Sequence, residues 1–194
     1  MKPTSVTLRN VRLSYPNLFR AKGSNLNPEP RFSADVLVKK DDAANYNALL
    51  AAIEAAKAEG VEKCSGWKGK MPAKLSVAIK DGDGENNPEY KGCWVVRVWS
   101  KEAYPPKVMD SNFAPIIDQS EIYGGVIVDI SINMYAYSFN SMNGINASFD
   151  AGVVKRADGD AFGGGARTSA EEAFGAPVSP LPSGGINPIT GLPY

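Results

Sequence analysis

Residues 126–139 run without proline or glycine, and no other stretch of the chain constrains the fold as strongly. Valine, isoleucine and aromatic residues fill it, the composition of a pleated, half-buried strand. Val126, Val128, Ile130, Ile132, Met134 and Ala136 fall on one face, and Asp129, Ser131, Asn133, Tyr135 and Tyr137 on the other. Gly124-Gly125 precedes the stretch. Asn143-Gly144 follows it with the composition of a hairpin turn, after which Ile145, Ala147, Phe149 and Ala151 alternate up to Val153-Val154. The expectation is a long antiparallel hairpin over 121–155, with one apolar face and one polar face bearing tyrosines. Exposed flat rings on a stiff support are what stacking requires.

Other segments supply partners for that hairpin. Residues 6–15 read as a strand interrupted by Arg9 and Arg12 and ended by Pro16, with 17–23 as a loop. A second strand covers 31–38, with Phe32, Ala34, Val36 and Val38 on one face. A third covers 90–101: Trp94, Val96 and Val98 form the apolar set, and Lys91, Cys93, Val95, Arg97, Trp99 and Lys101 share the opposite face. Leu75, Val77 and Ile79 suggest a shorter one. Asp41-Asp42 opens a helix, since acidic side chains satisfy and stabilise its free N–H groups. Tyr46, Leu49, Leu50, Ile53 and Ala56 or Lys57 recur at helical spacing, and Gly60 reads as its C-terminal stop. The fold class is mainly β: a β-barrel of five strands with extra strands and one helix. It occupies residues 1–156. Residues 157–194 are acidic and then rich in Pro, Gly and Ser, which predicts a flexible, disordered tail.

Composition narrows the function. The chain of 194 residues has no histidine, so the commonest general base and metal ligand is missing and no enzyme activity is expected. Cys64 and Cys93 lack metal-ligand spacing and read as reduced thiols. The acidic run Asp81-Gly82-Asp83-Gly84-Glu85 has Asn86 and Gly92 where a calcium loop needs Gly and Glu, so it reads as a turn, and no metal or other cofactor is expected. No apolar run approaches the roughly 20 residues of a membrane span, and the start lacks a signal peptide, which together predict a cytoplasmic protein without membrane contact. Net charge is zero but uneven. Residues 1–107 carry 18 Lys+Arg against 12 Asp+Glu, a balance of +6, and residues 108–194 carry 3 against 9, a balance of −6. A basic body with an acidic end points to an anionic partner, or is a gradient without function.

Aromatics placed among cations mark the candidate site. Arg97, Trp99 and Lys101 share one strand face, Tyr135 and Tyr137 another, and Arg12, Tyr15, Phe19, Arg20 and Lys22 cluster near the start. Cations for a backbone and rings for bases are what single-stranded nucleic acid requires. Each ring has a bland alternative. Phe19 either stacks on a base or plugs the end of the core, Trp99 either stacks or is covered by a loop, and Trp67 is either a stacking ring or a lid.

Several pieces taken in order resemble the Enc34-type single-stranded DNA-binding proteins of phages. They are residues 11–19, 105–110 and 121–125, the Tyr135-Ala136-Tyr137 strand, and Ser169-Ala170-Glu171-Glu172-Ala173-Phe174. The resemblance covers roughly 5–174. It implies an OB fold and sequence-independent binding of single-stranded DNA in phage replication or recombination, in the host cytoplasm. Glu171, Glu172 and Phe174 resemble the tips through which other single-strand-binding proteins recruit replication or recombination proteins, although here some twenty residues follow the aromatic. Pairing of two copies into a homodimer is a further expectation. The rival readings are an OB-fold module for an oligosaccharide or protein, and a metal-dependent nucleic-acid enzyme, whose only dense carboxylate group would be Asp81, Asp83 and Glu85.

Overall fold

The computed structural model describes residues 2–24, 27–140 and 142–163. In chain order the strands are β1 (Ser5–Ser24), β2 (Asn27–Lys39), β3 (Ser76–Val77), β4 (Ile79–Asp81), β5 (Cys93–Lys101), β6 (Val108–Met109), β7 (Ile127–Phe139) and β8 (Met142–Ala157). Helix α1 (Ala43–Lys63) separates β2 from β3. Five strands close on one another in the order β1, β2, β5, β8, β7 and back to β1. Every join in that ring is antiparallel except β5 to β8, which run parallel where Val98 faces Ala147. This is the OB-type barrel, and β3, β4 and β6 are additions along its edges.

The apolar alternation fills the barrel. Val128, Ile130, Ile132 and Met134 of β7 meet Leu8, Leu13, Val36, Val96, Val98 and Ile145, all at most 1% exposed. The helix lays Leu49, Ala52, Ile53 and Ala56 against β7 and β1, and Trp67 closes the same end. Its N-cap is Asp42, whose carboxylate accepts from Asn45 N at 3.0 Å. Gly60 does not end the helix, which continues to Lys63. A Cβ there would meet Trp67 Cζ3 and Ala136 Cβ at 2.5 Å, so glycine serves close packing under the indole.

Three further expectations are corrected. Pro16 does not end β1, because it sits in an interruption of the ladder between Ser14↔Asp35 and Asn17↔Ser33, where no N–H is required. Tyr15 next to it turns through φ 47°, and the strand then resumes over 17–23. The hairpin turn lies at Asn140, φ 47°, between the paired Phe139 and Met142, and Asn143-Gly144 is already inside β8. Gly144 lies under the Tyr137 ring, where a Cβ would meet Cε1 at 2.7 Å and also strike the Ser76 carbonyl. Finally, Asp129 and Ser131 are not on a wet face; they are 7% and 8% exposed.

Asp129 is buried because β1 bulges toward it. Asn10 adopts φ 52° between the pairs Leu8↔Ile130 and Val11↔Val128. The bulge turns its N–H to Asp129 Oδ1 at 2.9 Å, while Arg9 and Arg156 donate to Oδ2 at 3.2 and 3.0 Å. The bulged backbone of Arg9 is in turn paired by the Asn45 amide, which accepts from Arg9 N at 3.0 Å and donates to Arg9 O at 2.8 Å. One side chain therefore joins the helix to the barrel by mimicking a missing strand. Asn45→Ala strands both backbone groups and is expected to cost about 1–3 kcal/mol, read as a lower denaturation midpoint. An unchanged midpoint would show that water replaces the amide at no cost.

Candidate nucleic-acid interface

The outer face of β2 and β5 carries a ladder of facing side chains: Leu37↔Val95, Asp35↔Arg97, Ser33↔Trp99 and Arg31↔Lys101. Barrel closure brings β8, and beyond it β7, to the free side of β5. Tyr135, paired with Asn146, thereby meets Trp99 edge-on, with ring centroids 6.4 Å apart and planes at 69°. From the β2 side the Arg31 guanidinium lies 4.0 Å above the Trp99 ring, a cation–π contact. Arg31, Trp99 and Tyr135 thus form a row of flat groups across three strands. Burial pushes the Tyr135 phenol above its ordinary pKa, with a hydrogen bond to Asn146 pulling the other way.

Trp99 separates two clefts. The larger, about 610 Å³, runs along Lys101, Tyr104, Pro105, Tyr135 and Phe149, and Tyr104 is 71% exposed at its margin. The smaller, about 250 Å³, is lined by Arg97, Asn146, Val77 and Lys80 with Asp35 and Tyr90 beneath. The opposite end of the ladder is closed: Phe162 and Tyr90 pack over Leu37 and Val95.

The predicted site residues divide accordingly. Arg97, Trp99, Lys101 and Tyr135 come together on the open face, and Tyr137 continues the row across Gly144. Lys22 faces Arg31 across the β1–β2 ladder, at the edge of that face, and Arg20 is exposed nearby. Tyr15 is 60% exposed on its bulge, and its hydroxyl accepts from the Asn87 amide at 3.0 Å. Phe19 is half-buried, packed against the core on one side and lining a shallow cleft with Arg20 and Lys22 on the other, and Trp67 is a lid whose indole N–H donates to Tyr137 O at 3.1 Å. Arg12 is at the closed end: it donates to the carbonyls of Gly125 and Asp160 and lies 4.3 Å over the Phe162 ring. Glu171, Glu172 and Phe174 lie outside the described residues.

Arg97 differs most from a solvated cation. Its Nε and Nη2 donate to the two oxygens of Asp35 at 2.6 and 2.5 Å. Asp35 is 2% exposed and also accepts from the Tyr90 hydroxyl at 2.6 Å. The carboxylate raises the Arg97 pKa further, and burial with the Asp35 hydrogen bond raises that of Tyr90. Sequence reading missed Asp35, Tyr90, Arg31 and Tyr104. Asp35 did carry a signal, a lone carboxylate within an apolar strand. Among the described residues, no group of three or more Cys, Asp or Glu could hold a metal ion; Asp81 and Asp83 instead each accept from Lys40 at 2.6 Å. Likewise no helix among them is long and apolar enough to cross a membrane.

An OB-type barrel with cations and aromatics on the outer β2–β5 face belongs architecturally to the class that binds oligonucleotides or oligosaccharides. Within that class the chain belongs to the family of the Enterobacter phage Enc34 ssDNA-binding protein, whose model matches residues 4–180. It is 30% identical over 179 residues to protein p50 of Acyrthosiphon pisum secondary endosymbiont phage 1, covering 86% of this chain and 91% of that one. The single-stranded DNA-binding protein from bacteriophage Enc34, solved in complex with ssDNA, superposes with a TM-score of 0.71 at 29% identity, over 84% of this chain and 91% of that chain. The single-stranded DNA-binding protein gp2.5 of bacteriophage T7 shares the fold, with a TM-score of 0.60 at 14% identity over 84% and 90% of the two chains.

Removing Arg97 alone leaves the Asp35 carboxylate buried without its cation. Arg97→Ala is therefore expected to destabilise the protein by about 1–3 kcal/mol, and Asp35→Asn combined with Arg97→Met by less, since no charge is then stranded. Urea denaturation of the two variants measures the difference. Equal losses would mean that solvent reaches Asp35 once Arg97 is gone.

Proposed function

We propose that this protein binds single-stranded DNA without regard to sequence, as a non-enzymatic component of phage DNA replication or recombination in the host cytoplasm. The observation that carries the reading is the row Arg31–Trp99–Tyr135 on the outer barrel face. Membership in the Enc34 family and the ssDNA complex of a relative at 29% identity support it. In this reading bases stack on Trp99 and Tyr135, with Tyr137 extending the platform. Lys101 and Arg31 meet phosphates along the groove, with Lys22 and Arg20 at its edge and Tyr15 beyond. Protein rings compete for bases that are not already paired and stacked in a duplex, which is the source of the single-strand preference. Recruitment of other replication proteins through Glu171, Glu172 and Phe174, and pairing of two copies, extend the proposal. The tail's part rests on the −6 balance of residues 108–194.

Titration of a fluorescent oligo-dT and of a duplex of equal length tests the reading. The single strand is expected to bind more tightly and to lose affinity steeply with salt, because phosphate contacts release counterions. Trp99→Ala and Tyr135→Ala should each cost about 1–3 kcal/mol of binding while the protein stays folded. Equal affinity for both forms would overturn the stacking reading, and binding indifferent to salt would favour a sugar or protein ligand.

A further inference from the structure

We propose that the smaller cleft beside Trp99 is a subsite for one nucleobase, with the Arg97 guanidinium as its flat stacking floor and not as a phosphate contact. This rests on the proposed binding of single strands and specifies the chemistry of one position in that site. Three observations carry it. First, the guanidinium is held in a plane. Both oxygens of the buried Asp35 accept from it in a fork, and the Tyr90 hydroxyl secures one of them from the other side. Backbone bonding fixes the base of the side chain, because Arg97 N donates to Ala78 O at 3.2 Å. Yet the Arg97 side chain remains 70% exposed, over a partner that is 2% exposed. Second, its charge is already matched by Asp35. A phosphate placed there gains little counterion release, whereas a delocalised plane that is weakly hydrated and already ordered stacks on a base at low entropic cost. Third, the cleft has the dimensions and walls of such a site. At about 250 Å³ it is smaller than the pockets that take drug-sized ligands. Trp99 forms one wall, and the Asn146 amide, part of whose donor capacity is taken by the Tyr135 hydroxyl, lines the cleft beside it.

A variant that removes the plane without changing net charge tests the assignment: Asp35→Asn with Arg97→Met. Its affinity is measured for oligo-dT and for an abasic deoxyribose-phosphate strand of equal length, each across a range of salt. Oligo-dT affinity is expected to fall about tenfold, with abasic affinity and both salt slopes unchanged. Arg97→Lys, which keeps the charge and a partner for Asp35 but not the plane, is expected to show the same loss and guards against misfolding of the double variant. An equal loss on the abasic strand, with the salt slope reduced by about one, would make Arg97 a phosphate contact and overturn the proposal. Unchanged oligo-dT affinity in folded Arg97→Lys would overturn it as well, leaving the pair a structural tie. Failure of the wild-type protein to bind either strand would instead overturn the broader binding reading.

Discussion

The parallel join of β5 to β8 is the constraint on which the rest depends. At Val98↔Ala147 two strands far apart in the chain come side by side, and both side chains are fully buried. Without that join, Trp99 and Tyr135 would stand on opposite edges of an open sheet. With it, the inward residues of five strands form one core and the outward residues of β2, β5, β8 and β7 form one surface. A small residue at position 147 suits the closing seam, since backbones approach there and little volume remains inside. The groove is therefore a by-product of packing the interior: the register that buries Val98 also points Trp99 outward beside the Tyr135 ring.

Two buried carboxylates organise the outside of this barrel in different ways. Asp129 takes up the bulge at Asn10 and draws in Arg9 and Arg156, which ties β1 to the hairpin. Asp35 holds Arg97 and Tyr90 on the outer face of β2 and β5. Both satisfy the requirement that a buried charge be paired and hydrogen-bonded, and both use the pairing to fix a neighbour's direction. At the closed end Arg12 lies over the Phe162 ring, which packs against Leu37 and Val95, so the outer face of the ladder is open only at its other end.

The periodicity of 126–139 sufficed for the strand, its inward set and the existence of a hairpin, because alternation on a pleated sheet is a local property. The same holds for α1, whose cap and apolar spacing are written within about twenty residues. Basic and aromatic side chains on the β5 face were legible for the same reason, and the Enc34 resemblance agreed with them. Sequence reasoning erred wherever two residues distant in the chain decide the outcome. Gly144 looked like a turn because Asn-Gly is a turn dipeptide, but it is needed where the Tyr137 ring and Ser76 crowd β8. Gly60 looked like a stop but makes room for Trp67. The ion pair of Arg97 was not legible either, because its partner Asp35 lies 62 positions away on the neighbouring strand. Asp129 looked exposed because the bulge that buries it is in β1. Local pattern determined which residues face in or out along each element. Only the closed barrel decided which outward residues meet, because that depends on strand order, register and bulges, and these are settled by packing between segments that the chain holds far apart.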